Sequence, residues 1–305
     1  MTVPILEVKG ISKTFGKVKA LDSVDFYLQK GVVHGLLGEN GAGKSSLMNV
    51  LSGIYIPEQG TIKIQNKKIE RLNPELASSL GIGMVHQEFR LIENFTIKDN
   101  LTLSKANIFL ENFKEAYLKY SEIFSLNSSY NTLVKDLSVG EKQKVEIMKL
   151  IFKNSAIMLL DEPTAVLTPQ ETSQLKLSLE TLSKEDEKTI VLITHKLKEI
   201  KDFTETIFVM KNGKMGAENL QTDEVSDKHL IELMMGEIKT MSFKKDNLKG
   251  ETKLEVQNIS LINNDEVNVL KDISFNIKSG EILGVAGVSG NGQVELANVI
   301  SVSYT

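Results

Sequence analysis

The chain has 305 residues, 41% of them hydrophobic and 25% charged, with a formal net charge of −4 and no cysteine. This is globular composition, with room for one large domain or two smaller ones. The lack of thiols excludes disulfides and thiolate metal sites and fits a reducing compartment. The acidic balance argues against a nucleic-acid binder, which usually carries a basic face. No run of about 18 apolar residues occurs, and "MTVPILEVKG" lacks the charged and apolar regions of a signal peptide. Any membrane must therefore come with another polypeptide.

In chain order, "ILEVKGI", "SVDFYL", "VVHGLLG", "TIKIQ", "IGMVHQ", "IMLLDE", "TIVLITH" and "TIFVMKNGK" read as strands, short and rich in β-branched residues. The uninterrupted apolar runs "IMLL" and "IVLI" suit strands buried on both faces of a partly parallel sheet. Helical patterns fall at about 44–52, 98–120, 140–153 and 169–183. The last begins on Thr168, Pro169 and Glu171, an N-cap, a first-turn proline and a capping-box acid. Alternating strands and helices predict an α/β domain. The segment from about 90 to 153 has no strong strand signal and is expected to form an inserted helical lobe.

The polar stretch 237–252 reads as a linker after a first domain spanning 1–236. The opening pattern then returns. "LEVKGIS" at 6–12 is echoed by "LEVQNIS" at 254–260, and "ALDSVDFYLQKG" at 20–31 by "VLKDISFNIKSG" at 269–280. Gly38, Gly41 and Gly43 return as Gly287, Gly290 and Gly292, while Lys44 becomes Gln293. This is a tandem domain repeat. The second copy, 253–305, loses register after Ser301 and is expected to be the shortened beginning of a second domain, loosely ordered over 251–305. A frameshift, a split gene or deliberate shortening would each produce it.

Three patterns carry chemistry. Gly38, Glu39, Asn40, Gly41, Ala42, Gly43, Lys44, Ser45 and Ser46 follow an apolar strand and open a helix, fitting G-x-x-x-x-G-K-[ST]. Inward-turned amides and a helix N-terminus cradle a polyphosphate. Lys44 is placed to meet the β- and γ-phosphates and Ser45 to ligate Mg²⁺. In "IMLLDEP", Asp161 ends a strand and suits an indirect Mg²⁺ ligand; Glu162 beside it is a candidate general base. In "LSVGEKQKVEI", Ser138 and Glu141 form a capping box around Gly140. By spacing alone that is a capped helix, and it is also a glycine-exposed phosphate site.

Taken in order, the glycine loop, Gln87 after "GMVH", "LSVGEKQ", "LLDEP" and His195 after "LIT" resemble the ATPase domain of ABC transporters across residues 5 to about 236. The resemblance implies a P-loop NTPase core with an antiparallel β subdomain and an inserted helical subdomain, followed by the start of a second ABC domain. It implies ATP and Mg²⁺ as ligands, held in a sandwich in which Ser138, Gly140 and Glu141 of one domain face the P-loop of another. It further implies that Gln87 senses the γ-phosphate and metal and touches a membrane partner, and that His195 bonds the γ-phosphate and, with Glu162, holds the attacking water. Phe15 would stack on adenine. Thr168 stands where the family's D-loop commonly carries Asp, which puts cross-domain communication there in doubt.

The tandem layout with a lysine-free second loop is similar to the importer ATPases for simple sugars and nucleosides, with "VHQEF" and "AVLTPQE" pointing to the nucleoside branch. The implied partners are transmembrane permease subunits, indirectly an extracytoplasmic solute-binding protein, and a second ABC domain or a second copy to complete the ATP site. The implied location is peripheral, on the cytoplasmic face of the inner membrane. Little turnover is expected of the chain by itself. Two other readings remain open: a soluble tandem ABC protein acting on ribosomes or DNA, and a remnant that only binds nucleotide.

Overall fold

Residues 5–28 fold back on themselves because apolar side chains alternate. In β1 (Leu6–Phe15), Leu6, Val8 and Ile11 are buried; in β2 (Val18–Leu28), Leu21, Val24, Phe26 and Leu28 are buried. The strands pair antiparallel, with Leu6 opposite Leu28 and Phe15 opposite Val18. The computed structural model describes residues 3–103, 112–236, 250–262, 267–287 and 291–302. The chain divides into two units, Met1–Ile238 and Lys239–Thr305.

The first unit continues through β3 (Val33–Leu37), α1 (Lys44–Leu51), β4 (Gln59–Ile64), β5 (Lys67–Ile69), α2 (Pro74–Ser79) and β6 (Ile82–Val85). Three helices follow: α3 (Ile97–Thr102), α4 (Phe113–Ile123) and α5 (Val139–Phe152). It ends with β7 (Ile157–Asp161), α6 (Pro169–Lys184), β8 (Thr189–Thr194), α7 (Leu197–Phe203), β9 (Thr206–Lys211), β10 (Lys214–Gln221) and α8 (Asp227–Met235). A four-stranded antiparallel sheet has the order β2-β1-β4-β5. A six-stranded sheet has the order β10-β9-β3-β8-β7-β6, parallel except for β10.

The parallel strands are covered on both faces, which is why their sequences are apolar without interruption. Along β7 the side chains alternate between two cores. Leu159 joins Leu6, Phe26, Leu47, Met48 and Phe208, between the parallel sheet, α1 and the antiparallel sheet. Met158 and Leu160 join Val145, Met148, Phe152, Leu175 and Leu179 of α5 and α6 on the opposite face. Burial of each such side chain contributes about 1.5–3 kcal/mol. The segment expected to be one helix over 98–120 stops at Thr102, and α4 starts at Phe113; residues 104–111 lie outside the described residues. Between β6 and β7 the described elements are helical apart from one bridge, Thr96 with Leu133.

In the second unit β11 (Thr252–Ile262) and β12 (Asn268–Lys278) form an antiparallel pair, and α9 (Gln293–Ile300) follows. The repeat in sequence is also a repeat in detail. Ser23 N donates to Ser12 Oγ, and Asp272 N donates to Ser260 Oγ at the matching offset. Gly43 and Gly292, the residues before α1 and α9, share a left-handed conformation, with φ of 105° and 91°. Residues 281–287, the counterpart of β3, are not a strand. In the first unit β3 is held by β8 and β9; the described residues of the second unit include no such neighbours. Most of the linker expected at 237–252 falls outside the described residues, as does Gly290. No helix among the described residues is long and apolar enough to cross a membrane.

Candidate functional site

The loop between β3 and α1 turns on Gly43, whose φ of 105° is open to glycine alone at low cost. A side chain there would also strike the Ala20 carbonyl, 2.6 Å from where its Cβ would lie. Lys44 is the first helical residue and is 6% exposed. Its Nζ donates to the carbonyl oxygens of Gly38 (2.7 Å) and Glu39 (2.9 Å). Burial pulls the Lys44 ammonium below its usual range, and Glu162, Asp161 and Glu39 pull it back.

Opposite the loop, β7 ends in Asp161. Burial, then the neighbouring Glu162 charge, raises its carboxyl, while Lys44 and a hydrogen bond with Ser45 lower it. Glu162 has a left-handed backbone, φ 46°, a strained state of the kind that gathers at functional sites. Its N–H donates to Ile193 O at 2.9 Å, and its Oε1 lies 2.6 Å from His195 Nδ1, just beyond β8.

These groups share one cleft of about 470 Å³, lined by Asn40, Gly41, Gly43, Lys44, Ser45, Ser46, Gln87, Asp161 and Glu162. That volume suits a small-molecule ligand. His195 reaches this wall through Glu162. Gly38 and Glu39 are outside the wall and are tied to it by the carbonyls that accept Lys44 Nζ, and buried Ala42 accepts Gly213 N–H at 2.9 Å.

The cleft also contains residues that the motifs do not name: Val18, Lys19, Ala20, Asn212 and Gly213. The last two form the β9–β10 turn. Phe15 is 40% exposed and packs edge-on against Tyr55, with ring centroids 5.0 Å apart. It is not part of the cleft wall; its hairpin neighbours Val18 to Ala20 are.

Ser138, Gly140 and Glu141 are not brought to this cleft. They open α5 in a reciprocal cap: Ser138 Oγ accepts Glu141 N–H at 3.2 Å, and Glu141 Oε2 accepts Ser138 N–H at 2.9 Å. Gly140 is packed against the Glu171 carboxylate, which is held by the matching cap on Thr168.

For a divalent cation, the cleft offers the Ser45 hydroxyl, the Asp161 carboxylate and the Gln87 amide oxygen. All are hard oxygen donors, and so few protein ligands suit Mg²⁺, which binds through one or two carboxylates together with phosphate. No cluster of three or more His, Cys, Asp or Glu that could hold a metal occurs among the described residues.

A glycine loop feeding a helix, a lysine at its first turn and an acidic strand end beside it define a P-loop nucleotide-binding core. The comparisons narrow the class: they match part of the chain to the ABC transporter family and most of it to curated import ATP-binding proteins. Residues 21–165 match the family model described as ABC transporter. The nucleoside import ATP-binding protein NupA of Lactococcus lactis subsp. cremoris is 39% identical over 97% of this chain and 60% of its own length. The galactose/methyl galactoside import ATP-binding protein MglA of Clostridium perfringens is 41% identical over 95% of this chain and 56% of its own length. MJ1267, an ATP-binding cassette of an ABC transporter solved in its ADP conformation, superposes with a TM-score of 0.67 at 28% identity. That match covers 77% of this chain and all of that one. The chain thus spans three fifths or less of the length of these two curated relatives.

Proposed function

We propose that the chain binds MgATP in the P-loop cleft and hydrolyses it as the energy-coupling subunit of an importer for nucleosides or simple sugars. The observation that carries this is the convergence of Lys44, Ser45, Asp161 and Glu162 on one cleft, with His195 bonded to Glu162. Lys44 and the loop amides hold the phosphates. Ser45, Asp161 and Gln87 would hold Mg²⁺, which would neutralise charge on the phosphate oxygens. Glu162 takes a proton from the attacking water as ADP and phosphate form, and His195 orients Glu162.

The absence of Ser138, Gly140 and Glu141 from this cleft's wall supports a composite site. Ser138 and Gly140 serve the P-loop of another ABC domain or another copy. The cation-free second loop supports unequal chemistry at two sites. The importer names of NupA and MglA support transmembrane permease subunits as partners, an extracytoplasmic solute-binding protein acting through them, and a peripheral place on the cytoplasmic face of the inner membrane. The comparable identities of the nucleoside and galactose relatives leave both solute classes in the proposal.

Titration calorimetry of the full chain with MgATP tests it. Lys44→Ala is expected to weaken binding about 10- to 100-fold, the equivalent of losing a hydrogen bond to a charged group. Undiminished affinity overturns the reading.

A further inference from the structure

Gln87 sits in the cleft wall two residues past the end of β6, so one side of its segment is anchored in the parallel sheet. The other side is fastened to the helices. Arg90 N–H donates to Glu146 Oε1 at 2.5 Å, and Arg90 O accepts from Lys149 Nζ at 2.9 Å. Glu146 and Lys149 lie one turn apart on α5, and their charges pair at 3.0 Å. Two residues further on, Asn100 of α3 repeats the grip. Its Oδ1 accepts Ile92 N–H at 2.8 Å, and its Nδ2 donates to Ile92 O at 3.0 Å. Both peptide groups of Arg90 and both of Ile92 are thereby held by side chains of the helical lobe.

Glu146 is 3% exposed. A buried carboxylate is tolerated when its oxygens are paired, and it is costly once a partner leaves. Its two oxygens have one partner each, the Arg90 amide and Lys149. A charged group on the inward side of α5 is explained by this grip and by no apolar packing role.

We propose that Glu146, with Lys149, is a positioning residue for the nucleotide site. It transmits the placement of α5, the helix that begins at Ser138 and Gly140, to Gln87 through the main chain of Arg90. The inference rests on the proposed ATP-binding role of the cleft and adds to it a path by which the helical lobe sets the group facing the terminal phosphate. The grip acts on Gln87 alone among the cleft residues, because Lys44, Ser45 and Asp161 are carried by α1 and β7. Gln87 faces the γ-phosphate as well as the metal, so the effect is larger with a triphosphate than with ADP.

The test uses the full chain, magnesium, ADP and the non-hydrolysable β,γ-imido analogue of ATP, with affinities read by calorimetry. Glu146→Ala is expected to weaken the analogue about 10-fold and to leave ADP within about 2-fold. Glu146→Gln, which keeps an acceptor for Arg90 N–H, falls between Ala and wild type. In a Gln87→Ala background, Glu146→Ala is expected to add less than about 2-fold, since the group it positions is gone. Equal weakening of both nucleotides, or the same loss in the Gln87→Ala background, overturns the proposal. If Glu146→Ala does not fold cooperatively, Glu146→Gln and Lys149→Met carry the same comparison. Wild-type protein that binds neither nucleotide overturns the ATP reading itself, and this inference with it; wild type that binds both while the variants behave alike overturns the inference alone.

Discussion

Gly140 and Glu171 leave no space between them: a Cβ at position 140 would lie 2.1 Å from Glu171 Oε1 and 2.7 Å from its Cδ. Glu171 cannot retreat freely, because its Oε2 accepts both the N–H and the hydroxyl of Thr168 at 2.9 Å. The start of α5 and the start of α6 are thus locked through one α-carbon and one carboxylate. Gly140→Ala is expected to expel Glu171 from its cap and to cost about 1 kcal/mol, the usual worth of a helix cap. In urea unfolding, Gly140→Ala/Glu171→Ala should then be no less stable than Glu171→Ala alone. Fully additive losses would show that the crowding at 140 has another source.

Much of this arrangement is legible in the sequence, and the limits are physical. Val33–Leu37, Ile157–Asp161 and Thr189–Thr194 sit in the middle of a covered parallel sheet, so burial writes itself as apolar runs. The caps at Ser138 and Thr168 show because side chains make them. The contribution of Asn212 and Gly213 does not show, because it is made by main chain: Gly213 N–H reaches Ala42 O, and Gly213 O accepts Asp22 N–H. A short "KNGK" turn spells the hairpin but not what the hairpin touches. Helix α2 has a cap and a first-turn proline, Asn73 and Pro74, like those of α6, yet six residues are too few for an apolar period to appear. Glu146 escapes for the opposite reason. A charge on an amphipathic helix reads as solvent-facing, and only the position of Arg90 in space gives it a partner.

Asp161 predicts a conflict between stability and ligand binding. Burial and the Glu162 charge hold its carboxyl above the ordinary 3.8. Ionised Asp161 therefore costs the folded state free energy at neutral pH. The cost is absent below the unfolded value near 4 and complete once the pH exceeds the raised folded value. Asp161→Asn removes the ionisation while keeping the shape. In the ligand-free chain it is expected to raise the melting temperature at pH 7, with the gain shrinking toward pH 4. The same variant should lose most of the stabilisation that added MgATP gives the wild type. A melting temperature at pH 7 equal to or below that of wild type would contradict the assignment.

Protonation of His34 is expected to weaken the fold in acid. The residue lies fully buried on β3, with Nδ1 2.7 Å from Thr206 Oγ1 and Nε2 accepting Gln29 N–H at 3.0 Å. That pattern places the proton on Nδ1, so a second proton would enter at Nε2, where it displaces the Gln29 N–H contact and gains only the longer one to Gln29 O at 3.3 Å. Burial pushes the imidazole down from 6.5 to about 4, against a smaller opposing effect of the Gln29 backbone. The folded state therefore favours the neutral ring. Its stabilising contribution is complete above pH 6.5 and is lost as pH falls toward 4. Each pH unit between the unfolded and folded values is worth roughly 1.4 kcal/mol, so the loss amounts to about 3 kcal/mol. His34→Gln retains an amide able to meet both partners but does not titrate. It is expected to be less stable than wild type at pH 7 by about 1–3 kcal/mol, since a buried polar pairing is disturbed. Between pH 7 and pH 4.5, however, its urea midpoint should fall less than that of wild type. Parallel pH profiles for the two proteins would show that His34 is not the group whose protonation unfolds the sheet.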